Sequence, residues 1–519
     1  NLLFSFPKQY QFQSVDSSPS NNSLPSNGII DFVPLNNEIV YVGTGSGLGK
    51  ITIDSDNVLS FNSVNSSILP KGGNPAVEIR NGVIAISGVT SFFSDITGTY
   101  EPQGTGIGYS LDEGISWKYM PQPIMEIPFD GLYDTILWGG QNLEVLAVTT
   151  DIQNVSYDLG IMDQFIYSTS WAGGLRRFDF SADDPKWEII PLPMDNQDSL
   201  FCGMINSDIY ELNPKDPKDG GNNNHKAFSI NIIDDQVWVG TANGINVGEL
   251  FDDSCIDWIE RYSVADGLSG NWVIDIKEQN LNNRIWAITW ATGQSEKTSI
   301  SFSDNKGESW DYVKFFAESS IKVYNLSFEG LYIFASTTDG LYVSDDGEHW
   351  ELYPKIIDSF TGEQILSDEV YDSYINSFDK INFYHQNNQV WLGTNDGLGI
   401  YNLDGSMEVN RFWKHTENPQ ISNFNFSAYP NPFLIKEHNI NQGQGHVRFI
   451  FYYNKNRSLV LDSNVKIQIY DFAMDHVVEL NNPHIAGDFS EGEIIWDGRN
   501  NNGDIVANGV YFCKLITEE

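Results

Sequence analysis

The sequence predicts an all-β fold in two units, a seven-bladed β-propeller followed by a C-terminal β-sandwich, and three observations carry that expectation. A strand–turn–strand phrase recurs seven times between about residues 27 and 415. The composition suits short strands joined by tight turns: 13% of residues are aromatic, 45 are glycine and only 19% are charged. A helical protein of this length would be richer in Ala, Leu, Lys and Glu. After FWKH at 412–415 the phrase stops and the composition shifts, and 519 residues are in any case too many for one ordinary domain.

The phrase is a short apolar strand, a small-residue turn, then Gly-Leu or Gly-Ile opening another strand. Its clearest copies are EIVYVGTGSGLGKI at 38–51, QVWVGTANGINVG at 236–248 and QVWLGTNDGLGIY at 389–401. Looser copies lie at 82–89, 164–178, 284–293 and 331–344. A β-rich stretch precedes each copy and reads as the inner strand: GIIDFV at 28–33, AVEIR at 76–80, LEVLAV at 143–148 and AFSINI at 227–232. WVIDIK at 272–277, IKVYNLSF at 321–328 and INFYH at 381–385 continue the series. An aromatic-bearing segment follows, such as SWKYM at 116–120 or KWEII at 186–190. Four strands per repeat without helical periodicity is the pattern of a propeller blade. The expected division is an N-terminal extension at 1–26, the propeller at 27–415 and a C-terminal domain at 416–519.

Two resemblances belong to these repeats. NDGLGIY, QVWLGT and DGLSGNWVIDI at 266–276 resemble the propeller repeat of two-component regulators. Three turns resemble the Asp-box, Ser-x-Asp-x-Gly-x-x-Trp, of sialidase-type and sortilin-type propellers. They are Ser110, Asp112, Gly114 and Trp117; Ser303, Asn305, Gly307 and Trp310; and Asp345, Gly347 and Trp350, with Val343 in the Ser slot. In such a turn a short acceptor side chain binds the turn's own amides, Gly takes a positive φ and Trp packs between blades. These residues are therefore expected to be structural staples, with no catalytic role.

From Asn423 the chain reads FNFSAYPNPF, VRFIFYYN, VKIQIYDFAMDHVVEL and GEIIWDGRNNNGDIVANGVYFCKL. VKIQIYDF alternates as a half-buried strand does, and NNNGD suits a hairpin tip. The segment resembles the FlgD-type immunoglobulin-like domain that ends many proteins exported by the type IX secretion system. Tyr429–Phe433, Ile469–Asp471, Trp496–Gly498 and Asn508–Tyr511 carry the likeness. It implies an immunoglobulin-like sandwich that serves export and attachment, the type IX machinery as a partner, and the outside of a Gram-negative-type bacterium as the location. Family members usually continue past the GVYFCKL strand, so a terminal strand is either removed or not represented, and its absence would leave a sheet edge to pair. Asp497 to Asp504 reads as a hairpin or as a calcium loop lacking the full acidic ladder. Calcium is the one cofactor left open.

Charge excludes some partners. With 70 acidic against 29 basic residues the chain stands near −41, which repels phosphate backbones and argues against nucleic acid. No apolar run approaches the roughly 18 residues that span a bilayer. The chain opens at Asn1 without Met or a leader, as a mature exported chain or a trimmed one would. Three cysteines, Cys202, Cys255 and Cys513, are too few for a disulfide framework, although a Cys202–Cys255 bridge stays open. The eight histidines are scattered, and no CxxC or HExxH suggests zinc.

The expected site is the face carrying the long connections at 89–104, 121–141, 191–224 and 354–378, with one long loop, 151–163, on the opposite face. Phe92, Phe93, Trp171, Trp290, Asp339 and Asp396 are the candidate ligand-binding residues, by stacking and hydrogen bonding to a surface glycan or extracellular protein. The competing reading makes both tryptophans interblade filler, and exposure decides between the two. Catalysis has no positive sign. GTGSGLG at 43–49 precedes a strand rather than a helix, and arginines, the adjacent Arg176 and Arg177 among them, are few for a sialidase. The expected function is adhesion or capture at the cell surface. The alternatives are a polysaccharide-active glycosidase or lyase, and a structural subunit of a homo- or hetero-oligomeric assembly to which the NLLFSFPKQYQFQ stretch could contribute a strand.

Overall fold

The computed structural model describes residues 23–516, apart from 95–98, 127, 129–130, 253–254, 320, 356–365, 367, 378–387, 396, 403–406, 411–423, 430–445, 454–465, 473, 482–483, 486–490 and 508. The chain divides into two compact units between Lys414 and His415.

The first unit holds seven four-stranded antiparallel sheets, each a simple meander, at residues 29–63, 77–120, 158–190, 227–262, 272–312, 323–352 and 370–410. We number these blades 1 to 7. The first strand of each blade lies beside the first strand of the next, and Val370–Asn376 of blade 7 lies beside Ile29–Asn36 of blade 1. The ring is closed: this is a seven-bladed β-propeller. Among the described residues its closure exchanges no strand. Phe32 of blade 1 packs on Tyr374 and Trp391 of blade 7, in a core with Leu24, Val40, Leu398 and Ile400. Stacked sheets need such wedges because twist leaves gaps that only large side chains fill. Tyr41, Trp238, Trp286 and Trp391 fill the same register slot in blades 1, 4, 5 and 7, all at most 1% exposed.

An inner strand is a sheet edge, so its outward amides need acceptors. One register position carries a polar side chain in five blades, and at Asp31, Asp158 and Asp372 it supplies them. Asp31, Asp158, Asp275, Asn325 and Asp372 sit opposite Gly43, Thr169, Ile288, Ser336 and Gly393. Asp31 accepts the amide of Val77 in blade 2 at 3.1 Å, and Asp158 that of Ile230 in blade 4 at 2.8 Å. Asp158 and Asp372 also take their own following amides, Leu159 and Ser373. Much of the channel's acidity is thus a set of clamps between blades.

The three staple turns form as hydrogen-bonded loops. Ser110 and Ser303 each accept the amide of the turn glycine, Gly114 and Gly307, at 2.8 Å, while Asp112 and Asn305 bind the Ser116 and Ser309 amides. Gly114 has φ +87°, and a Cβ there would lie 2.1 Å from the Tyr41 hydroxyl of blade 1. The third turn is shifted by one residue from its sequence assignment. Ser344 and Asp346, rather than Val343 and Asp345, bind the amides of Gly347, Glu348 and His349. The turn is one residue shorter, so its polar pair sits one place nearer the glycine.

Two inner strands also differ from expectation. LEVLAV at 143–148 belongs to no blade; the inner strand of blade 3 is Asp158–Met162. Residues 151–163 are accordingly not a loop on the opposite face, since they run into that strand. The inner strand of blade 7 is Val370–Asn376, and INFYH at 381–385 lies outside the described residues.

The second unit has two antiparallel sheets. Phe424–Tyr429, Val447–Tyr453, Glu491–Trp496 and His484–Ile485 form one, and His476–Leu480, Lys466–Tyr470 and Phe512–Ile516 the other. Val447, Phe449, Ile494 and Trp496 of the first share a core with Ile467, Ile469 and Val478 of the second. Asn500 caps a tight turn through the amides of Asn502 and Asp504, and Asp497 is taken up by the Arg499 amide at 3.0 Å. Of the motif positions, Pro430–Phe433 and Asn508 lie outside the described residues.

Candidate functional site

The second-to-third-strand turns and the connections between blades share one face of the ring, here the upper face. Two insertions build a cap on it. Tyr133–Trp138 and Gln141–Leu146 form a hairpin, and Glu211–Leu212 from the next insertion adds a parallel strand. Trp138, Leu143 and Val145 bury against Leu200, Ile205, Tyr210 and Leu212, and against Ile256 and Trp258 of blade 4. A Cys202–Cys255 disulfide ties the second insertion to the outer strand of blade 4. His225 fixes its start and end. The Asn213 amide donates to Nδ1 at 3.0 Å, which leaves Nε2 to donate to the Leu192 carbonyl at 3.1 Å. Burial pulls this imidazole down to about 4, so it is neutral as the hydrogen bonds require.

Beside the cap lies an aromatic platform. Trp171, in the turn of blade 3, meets Trp272 of blade 5 edge-on at 5.4 Å. Phe228 of blade 4 lies under both, at 5.6 and 5.4 Å, and Tyr157 packs on Phe228 at 6.1 Å. Phe228 and Tyr157 are buried, whereas the two indoles are half-buried. Lys226 places its ammonium 5.1 Å from the centre of the Trp171 ring and donates to Asn223 Oδ1 at 2.7 Å. A half-buried indole with a cation at its face and a second indole edge-on beside it suits a sugar ring or another planar group.

The remaining sequence candidates scatter. Trp290 is 6% exposed and donates its indole N–H to the Val323 carbonyl of blade 6 at 3.3 Å, which is interblade packing. Tyr324 and Tyr371, beside it, donate their hydroxyls to the two oxygens of Glu369. Burial raises the Glu369 carboxyl against the lowering effect of these bonds. Asp339 is engaged by Tyr342 at 3.3 Å and by Lys355 at 3.6 Å, and Lys355 also pairs with Asp368 at 2.6 Å. Phe92 is exposed on the long hairpin Val83–Ser94 and Thr99–Ser110, where Phe93 pairs with Tyr100 through the backbone. Asp396 lies outside the described residues. Of the candidates whose side chains are described, only Trp171 stands on the platform, and Trp272 and Lys226 join it from blades that the sequence separates.

No family model matches the chain. No curated protein matches its sequence either. Among solved structures it is similar to YCF48 bound to D1 peptide, at 13% identity and TM-score 0.39 over 78% of this chain and 98% of that one. It is also similar to PorZ, an essential bacterial surface component of the type IX secretion system of Porphyromonas gingivalis. There the identity is 14% and the TM-score 0.33, over 92% of this chain and 63% of PorZ. A third is the β-propeller domain of Cps50 (Swd1) from Myceliophteria thermophila, at 9% and 0.42 over 74% and 98%. Likenesses this remote carry no argument about what this chain binds, and the propeller assignment rests on the closed ring itself. Among the described residues, no three His, Cys, Asp or Glu side chains gather where they could hold a metal ion, and no helix is long and apolar enough to cross a membrane.

Proposed function

We propose that this chain is an exported, surface-held propeller that captures a glycan on its upper face, with Trp171 and Trp272 as the stacking platform. The half-buried indole pair with Lys226 at its face is the observation that carries this reading. The Cys202–Cys255 bridge supports a location outside the reducing cytoplasm, because such bonds persist in oxidising compartments. The two-sheet second unit is read as the immunoglobulin-like module of export and attachment, with the type IX machinery as its partner. The test is binding of the purified chain to an array of bacterial and algal polysaccharides, with product analysis on every hit. Binding without new chain ends, lost in Trp171→Ala, is the expected result. Binding that Trp171→Ala leaves unchanged would remove the platform from the reading.

One observation favours a second, enzymatic reading: Glu369 is a raised carboxyl gripped by two tyrosine hydroxyls on the same face. Cleavage of any glycan, abolished by Glu369→Gln, would establish it instead.

A further inference from the structure

Arg176 and Arg177 are neighbours on the third strand of blade 3, so their side chains leave opposite faces of the sheet. Arg177 is fully provided for: Glu188 at 2.9 Å, the Tyr167 hydroxyl at 3.3 Å and the Phe165 ring at 4.0 Å. Arg176 is not. It is 5% exposed, yet no carboxylate meets it among the described residues. Its Nε donates to the Gly173 carbonyl at 3.2 Å, and one Nη2 hydrogen points at the Met125 thioether at 3.6 Å. A guanidinium carries five N–H donors, so three are left without a protein acceptor. Burial lowers its pKa only to about 10, so it is a cation at neutral pH.

Buried charges are normally paired, because an unpaired one forfeits hydration with nothing in return. Carboxylates are plentiful in a chain near −41, and yet none among the described residues is placed here. The location adds a second observation. Gly173, which Arg176 holds, lies two residues from Trp171 in the same turn, and Gly174 abuts the His225 carbonyl, next to Lys226. Arg176 and the Trp171 indole therefore flank one turn of the upper face, Arg176 from the side of blade 3 that faces blade 2. Above the guanidinium sits the half-buried Met125, whose backbone is fixed by its amide bond to Val148 at 2.7 Å while its side chain has three rotors.

We propose that the free edge of Arg176 binds a carboxylate once Met125 swings aside, so that the glycan captured on the platform is an acidic one, built of uronate units. This rests on the glycan reading of the platform. Paired Nη donors match the two oxygens of a carboxylate in a plane, and one uronate per sugar would set a carboxyl beside each stacked ring. A polymer bearing the chain's own charge sign needs a local cation to be held at all.

The experiment is calorimetric titration of the full chain with an oligouronate, a neutral oligoglucan of equal length, a sulfated oligosaccharide and an acidic peptide. It is repeated with Arg176→Met, Met125→Ala and Trp171→Ala, after thermal unfolding confirms that each variant folds. The expected result is oligouronate binding that is weakened by added salt. Arg176→Met should weaken it about tenfold to a hundredfold, in keeping with a charge-assisted hydrogen bond, and Met125→Ala, which uncovers the guanidinium, should tighten it. Equal binding of the neutral glycan, insensitive to Arg176→Met but lost in Trp171→Ala, would overturn the carboxylate while leaving the platform standing. Preference for the sulfated sugar or the peptide would overturn the uronate assignment. Binding of none would sink the glycan reading itself. Should Arg176→Met fail to fold, competition of oligouronate binding by glucuronate against glucose decides the question, equal competition going against the proposal.

Discussion

The carboxylate of Asp372 accepts the amide of Phe32 at 2.7 Å across 340 residues of chain, and this bond joins the last blade to the first. Its second oxygen holds the Ser373 amide at 2.8 Å, and the side chain is 3% exposed. Asp372→Ala leaves two buried donors unmet at the one joint that has no covalent continuity. We expect a loss of about 2–4 kcal/mol in denaturant unfolding. Asp372→Asn, which keeps one acceptor oxygen, should lose less. A loss equal to that of an exposed Asp→Ala control would show that packing by Phe32, Tyr374 and Trp391 closes the ring unaided.

Glu78 faces the channel near Asp31 and Asp158, and burial with those charges raises its carboxyl to about 8 despite Arg80 and Lys277. The folded chain then keeps a proton that the unfolded chain releases from about pH 4.5 upward. This contribution is fully present below that pH and is lost as pH rises through about 8. Melting temperature should fall from pH 5 to 9, and Glu78→Gln should flatten the slope. An unchanged slope would place the titration elsewhere in the channel.

His225 works in the other direction. Its folded pKa of about 4 lies below the ordinary 6.5, so its contribution is complete above pH 6.5 and disappears as pH falls towards 4. The span corresponds to roughly 3 kcal/mol. Hydrogen exchange at the Asn213 amide should accelerate over that range while inner-strand amides stay protected. Uniform acceleration would mean that the whole ring opens.

Reducing Cys202–Cys255 frees a 53-residue separation. Loop entropy puts the bond at about 4 kcal/mol. Because one partner sits in the cap and the other in blade 4, Cys202→Ser should lower protection in the second insertion first. Proteolysis mapped along the chain checks this, and a first cut within a blade would contradict it.

The seven strand–turn–strand phrases were legible because each blade must bury its second strand completely, which forces an apolar run before a small-residue turn. Inner strands were less so. Leu143 and Val145 alternate as a blade strand does, but bury into the cap, whereas the true strand, Asp158–Met162, carries a Gly and a clamp Asp that weaken its pattern. Site residues were harder still. Trp171 stood out in its turn, but Trp272 and Lys226 reach it through the curvature of the ring, which no local spacing records. Arg176 looked like half of a basic pair, and only the alternation of a strand separates its surroundings from those of Arg177.

Blade 2 carries Ala76, opposite Ser87, at the position where Asp31, Asp158 and Asp372 clamp other blades together. What bridges blade 2 to the approach of blade 3 lies further out on the upper face: Gly104 to the Asp151 carbonyl at 3.0 Å, Gln153 to that of Pro102 at 2.9 Å, and Gln103 to the Asp151 carboxylate at 2.6 Å. That joint is stitched at the rim rather than bolted at the axle. Under mechanical load the propeller should gape there first from its centre, with the rim stitches acting as the hinge on which blade 3, and the platform it carries, would tilt.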